Sequence, residues 1–298
     1  MSGTPYTKND LIQLKPKYDA FVGIDSDGCV FDSMEAKQKL CFHGLICDVW
    51  GLRKIEKYVR EAAEFVNLYS KWRGQNRFPD LVLAIDFLRD RPEVLASGVT
   101  LPDFTQTKKW IDSCKELGNP ALEKQVAETH DPELTTLLKW SKAVNAEVAR
   151  TCNRFDPFPF ALEGLKKIAA TADAICVSQT PTEALMREWT EADILRYVAI
   201  IAGQELGSKT DHLNMAAVGK YPAARILMIG DAPGDLKAAR AAGCLFFPIN
   251  PGKENASWER FCKEAYAKFL KGDYAGAYEA ALIKEFEALL PEIPPWKR

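Results

Sequence analysis

The sequence has only three histidines, and its eight cysteines are scattered with no Cys-X-X-Cys among them. A zinc site needs thiolates or imidazoles clustered at short spacing, so zinc chemistry has poor support. An excess of one charge is also missing. The 39 basic residues face 41 acidic ones, which leaves no electrostatic footprint for a nucleic acid. No apolar run approaches the length of a membrane span, and residues 1–19 are polar, without the apolar stretch of a secretory signal. Internal repeats and low-complexity tracts are absent. What is present is 298 residues, 47% of them hydrophobic, enough for one large packed domain or two ordinary ones. Cys29, Cys176 and Cys244 lie inside apolar runs, where a reduced thiol behaves as a small hydrophobe. A cytoplasmic enzyme is the expectation.

The pattern along the chain is one strand, a long helical stretch, then strand and helix in alternation. Residues 21–24 read as a buried strand. From residue 33 to about 155 only helical periodicity is visible, with helices expected near 35–48, 54–70, 79–88, 104–117 and 132–151. Pro92, Gly98, Pro102, Gly118 and Pro120 read as breaks between them. After Pro157 and Pro159, strands are expected at 174–177, 197–202, 225–229 and 245–249, separated by helices, and two further helices follow at 256–270 and 274–290. Such alternation implies right-handed crossovers and a parallel sheet covered on both faces. The expected fold class is therefore α/β: a doubly wound parallel sheet with a five-stranded core. The core is discontinuous, formed by residues 1–32 and 156–298, and residues 33–155 form an inserted all-helical domain.

The run Phe21 to Ser33 carries the sharpest chemical signal, Asp25-Ser-Asp27-Gly28. In an extended segment residues i and i+2 point the same way, so two carboxylates crowd one volume and raise each other's pKa unless a cation lies between them. An ordinary Asx turn would explain the same letters. A calcium loop would not, because Cys29, Val30 and Phe31 supply none of the further oxygen ligands.

Ligands of open parallel sheets bind beyond the carboxyl ends of the strands. The second strand delivers Ser178, followed by Gln179 and Thr180. The third leads to Lys209, just before a helix, and the fourth delivers Gly230-Asp231-Ala-Pro-Gly-Asp235. Each has an innocent reading: Ser178 or Thr180, and Asp231 or Asp235, are all suited to cap a following helix. Four carboxylates, a hydroxyl and a lysine at one sheet edge instead describe a dication held by acids, with groups to grip an anion. A phosphate-binding loop at Gly203 to Thr210 fails on spacing, because Ser208 separates Gly207 from Lys209.

The ordered set Asp25-X-Asp27-Gly, Ser178, Lys209 and Gly230-Asp231-X-X-X-Asp235 resembles the four motifs of the haloacid dehalogenase-like superfamily, over about half the chain. Within it the chain is similar to the subgroup of phosphoglycolate phosphatase and β-phosphoglucomutase relatives, whose helical cap lies between the first two motifs. Lys209 lacks the neighbouring proline often found in the family, with Lys220 as the fallback. The resemblance implies a Rossmann-like fold and a phosphatase that uses Mg²⁺ and an aspartyl phosphate formed on Asp25. Asp27 would be general acid and base, and a depressed pKa for Asp25 would suit that scheme. Phosphate would be bound by Ser178, Gln179 and Lys209. The metal would be held by Asp25, Asp27 through its backbone carbonyl, Asp231 and, indirectly, Asp235. The implied substrate is a small phosphorylated metabolite, a sugar or polyol phosphate, with no nucleic acid or membrane partner. A monomer or homodimer is expected. Arg73 and Arg77, in the polar break 72–77, are candidates for contact with the leaving group, beside the plainer reading of a solvated turn. A phosphomutase, a phosphonatase and a non-catalytic binding module are the alternatives. The second acid, Asp27, argues against dehalogenation of carbon.

Overall fold

A computed structural model describes residues 5–152 and 154–297. The chain forms two compact units, Met1–Met34 with Arg154–Leu290, and Glu35–Asn153 with Pro291–Arg298.

The first unit is built on five parallel strands, β1 (Phe21–Ile24), β2 (Asp173–Val177), β3 (Ile200–Ala202), β4 (Ile226–Gly230) and β5 (Leu245–Pro248), in the order β3-β2-β1-β4-β5. The expected fold class is the observed one. Along each strand successive side chains enter opposite cores. Val22, Ile24, Leu227 and Ile229 join one apolar cluster, while Phe21, Ile226 and Met228 join the other. Both faces are thus sealed, as the uninterrupted apolar strands require. The order reverses beside β1: β2 lies on one flank and β4 on the other. Their carboxyl ends therefore flank the end of β1, the geometry that places ligands at such a switch point.

Beyond β1 the backbone turns at Gly28, with φ of 75°, a conformation open to glycine at no steric cost. The carbonyl of Ser26 accepts from the amides of Cys29, Val30 and Phe31, which ties the turn into a compact knot. The third strand is shorter than expected because a 3₁₀ turn occupies Leu195–Tyr197.

The second unit is helical. Its core gathers Val59, Ala63, Leu81, Ile85, Leu137 and Val144 around aromatic pairs such as Phe78–Trp110, whose centroids lie 5.0 Å apart. Helices Pro92–Ser97 and Asn119–Thr129 were not anticipated. Pro92 and Pro120 sit in their first turns, where a missing amide is no loss, so each begins a helix instead of breaking one. The expected helix at 35–48 is interrupted by a π-helical stretch, Lys37–Phe42. Residues 291–298 were expected with the α/β core but cluster with the helical unit. Trp296 packs 5.9 Å from Phe65, and Lys297 pairs with Asp90 at 2.7 Å. Among the described residues no helix is long and apolar enough to cross a membrane.

Candidate active site

Asp25 follows β1 directly and is held by its own amide, which donates to the Ile229 carbonyl of the neighbouring strand at 3.0 Å. Asp231 and Asp235 follow β4. One carboxylate oxygen from each of Asp25, Asp231 and Asp235 lies within 4.8 Å of the others, and all three residues are buried. Lys209, in the first turn of helix Lys209–Ala216, directs its ammonium to Asp235 Oδ1 at 2.5 Å and to Asp25 Oδ2 at 3.0 Å. The helix start is fixed by a capping box, in which Ser208 accepts from the Asp211 amide and Asp211 accepts in return. The alternative lysine, Lys220, donates instead to the Leu11 carbonyl at 2.8 Å.

Asp235 also completes the cap of helix Pro233–Ala241. Its Oδ2 accepts from the amides of Asp231 at 3.1 Å and Ala232 at 3.0 Å. The one carboxylate therefore both completes the helix cap and joins the buried cluster with Asp25 and Asp231. Gly230 is required by this packing, since a β-carbon there would lie 2.4 Å from Asp235 Cβ.

Asp27 lies outside the three-carboxylate cluster. Its Oδ1 accepts from the Ser33 hydroxyl, and its Oδ2 accepts from Thr180 Oγ1 at 2.9 Å. Ser178 is buried, and its Oγ accepts from the Thr180 amide at 3.2 Å. Neither Ser178 nor Thr180 caps the next helix, whose N-cap is Pro181 without a side-chain bond. Gln179 Nε2 donates to the Gly207 carbonyl at 3.0 Å, tying the loop after β2 to the one that leads to Lys209. Thr180 and Ser33 are contacts that sequence reasoning had not assigned to the site. Thr180 was visible only as a hydroxyl two residues beyond Ser178.

Burial pushes the Asp25 carboxyl well above the usual carboxylate range. The charges of Asp235 and Asp231 push the same way, and Lys209 only partly opposes them. This is opposite to the depressed value expected, because desolvation outweighs one ammonium. For Lys209, burial lowers the pKa, but the charges of Asp235 and Asp25 overcome it and the net shift is upward. The ammonium stays charged. Three buried carboxylates with one ammonium among them form an all-oxygen donor set with excess negative charge. This suits a hard dication such as Mg²⁺.

In the helical unit Arg73 is buried, with Nη1 donating to the Leu68 carbonyl at 2.8 Å. Arg77 Nη1 donates to Asn145 Oδ1 at 2.7 Å.

No family model and no curated relative matches the chain. Solved structures do resemble it. One is a hydrolase of the haloacid dehalogenase-like family from Streptococcus pneumoniae, at 12% identity and TM-score 0.46, covering 80% of this chain and 90% of that one. Another, from Haemophilus somnus, is described as a predicted phosphoglycolate phosphatase, at 17% identity and TM-score 0.45, covering 77% and 84%. A third is L-2-haloacid dehalogenase from Xanthobacter autotrophicus, at 14% identity and TM-score 0.40, covering 92% and 89%. All are distant, and the architecture stated above rests on strand order and register alone.

Proposed function

We propose that this chain is a Mg²⁺-dependent phosphomonoester hydrolase of the haloacid dehalogenase-like type. It would act on a small phosphorylated metabolite, a sugar or polyol phosphate, through an aspartyl phosphate. The observation that carries the reading is the buried set Asp25, Asp231 and Asp235, mutually within 4.8 Å, with the Lys209 ammonium 3.0 Å from Asp25.

Asp25 is the nucleophile. Its carboxylate oxygen forms a bond to phosphorus as the bond to the leaving oxygen breaks. Asp27, held by Ser33 and Thr180, protonates that leaving oxygen, then takes a proton from the water that attacks the aspartyl phosphate. Inorganic phosphate departs and Asp25 is regenerated. Lys209 and the Ser178 hydroxyl bind the non-bridging oxygens, where charge is spread in the transition state. Asp25 and Asp231 would hold the metal, with Asp235 behind them through its bonds to Lys209 and the Asp231 amide. Bound Mg²⁺ offsets phosphate charge that would otherwise repel a carboxylate nucleophile.

The test is a phosphate-release screen of sugar, polyol and aryl phosphates, with Mg²⁺ and with EDTA, on the wild-type chain and on Asp25→Asn. Turnover that needs Mg²⁺ and vanishes in a folded Asp25→Asn chain is expected. Turnover retained by Asp25→Asn would refute the nucleophile, and silence across the panel would refute the enzyme.

A further inference from the structure

Ser26 stands between the two acids of the Asp25-Ser26-Asp27 run, and its side chain is fully buried. Val22 and Ile24 enter the apolar cluster that also holds Trp189 and Trp258. Ser26 is the next residue in the same alternation, so a hydroxyl occupies a register position suited to an apolar side chain. A buried hydroxyl is costly unless it is bonded. Here the partner is Trp189 of helix Thr182–Glu191, whose Nε1 donates to Ser26 Oγ at 2.9 Å.

A second indole reaches the same turn. Trp258 of helix Glu254–Arg260 donates through Nε1 to the Cys29 carbonyl at 2.8 Å. Both rings are fully buried, and each is fixed by its neighbours. Trp189 lies edge-on to Phe31 with centroids 6.2 Å apart, and Trp258 meets Phe261 at 5.3 Å. Gly164 makes room for the second ring, since a β-carbon there would lie 2.8 Å from Trp258 Cζ3. Buried indoles usually find an acceptor, so one such bond would be ordinary core packing. Packing alone does not dictate it in this chain, because the buried indole N–H of Trp140 has no partner. Two helices far apart in sequence instead direct their donors to one turn, at Ser26 and Cys29, the residues that bracket Asp27 and Gly28.

We infer that Trp189 and Trp258 clamp the turn after β1 and are positioning residues for Asp27. The inference deepens the function proposed above and rests on it, because there Asp27 is the general acid. Gly28, at φ of 75°, is a permissive pivot directly after that acid. Ser33 and Thr180 hold the carboxylate itself, while the indoles hold the backbone on either side. Proton delivery needs the carboxyl within hydrogen-bond reach of the leaving oxygen, and a misplacement of about 1 Å can cost about a hundredfold in rate.

Leaving-group dependence separates this role from packing. A polyol phosphate releases an alkoxide that needs the Asp27 proton, whereas nitrophenolate departs without one. In Trp189→Phe and in Trp258→Phe, kcat/KM for a polyol phosphate is expected to fall about tenfold or more. For nitrophenyl phosphate it is expected to stay near the wild-type value. The double variant Ser26→Ala with Trp189→Phe removes acceptor and donor together, leaving neither buried without a partner. It is expected to melt above Trp189→Phe and to keep the selective loss. Equal losses on both substrates, or no loss on either, overturn the positioning role while the phosphatase stands.

Hydrogen exchange reads the turn without catalysis. The amides of Cys29, Val30 and Phe31, bonded to the Ser26 carbonyl, are expected to exchange faster in both single variants. Those of β4 are expected to keep their protection. Unchanged exchange in the turn overturns the clamp. A chain that turns over no phosphomonoester refutes the function proposed above, and exchange then still decides whether the two indoles hold the turn.

Discussion

Thr180 Oγ1 donates to Asp27 Oδ2 at 2.9 Å, while Ser33 Oγ donates to the other oxygen of the same carboxylate. A general acid delivers its proton along one direction, and a small misplacement is expensive. Thr180→Val removes the donor with little change of shape. Its kcat is expected to fall about tenfold to a hundredfold with KM nearly constant. Steady-state kinetics on a turned-over phosphomonoester measure this. An unchanged kcat would show that Asp27 needs no help from Thr180.

Lys209 is the ammonium shared by Asp25 and Asp235, its side chain 16% exposed. Removing one partner from a buried ionic cluster destabilises by about 3–5 kcal/mol, because the remaining charges stay desolvated. Lys209→Met should therefore melt well below the wild-type chain in EDTA. Mg²⁺ would relieve the exposed repulsion, so it should raise the melting temperature of the variant more than that of the wild type. Equal responses in thermal melts would mean that these carboxylates do not share a cation.

Gly230 ends β4 where an added methyl would collide with Asp235. Gly230→Ala must push Asp235 off its bonds to the Asp231 and Ala232 amides and to Lys209. A loss of about 1–3 kcal/mol is expected, together with a fall in kcat. Gly234 is the control four residues on, since a methyl there meets nothing within 4 Å. Gly234→Ala, inside helix Pro233–Ala241, should be neutral or slightly stabilising. Urea titrations of both variants read the contrast, and equal effects would contradict the packing described.

The sheet was legible because each strand is a short apolar run with turn residues at its end, and burial on both faces leaves no other reading for such runs. The acids were legible because Asp25, Asp231 and Asp235 sit at the ends of those runs. Thr180 was not, because its bond to Asp27 joins residues 153 apart in sequence, and nothing local in a Ser-Gln-Thr loop announces it. The direction of the Asp25 shift was also hidden, since it depends on how deeply the cluster is buried. In the helical unit, Pro92 and Pro120 carried a positional meaning that differs between a helix start and a helix interior. The affinity of residues 291–298 for the helical unit rests on Trp296 finding Phe65, a tertiary contact without a sequence pattern.

Asp80 is 2% exposed within the helical unit, and its Oδ1 has no hydrogen-bond partner. Burial alone pushes its carboxyl well above the usual carboxylate range. The folded chain therefore keeps a proton that the unfolded chain releases above about pH 4. Because the folded pKa is the higher one, the protonated form contributes its full stability below about pH 4, and that contribution is lost as pH rises toward the folded value. Asp80→Asn keeps the shape, stays neutral at every pH and removes this linkage. Its melting temperature relative to wild type should climb steadily between pH 4 and pH 8. A difference that stays flat across that range would mean that the folded chain holds Asp80 ionised.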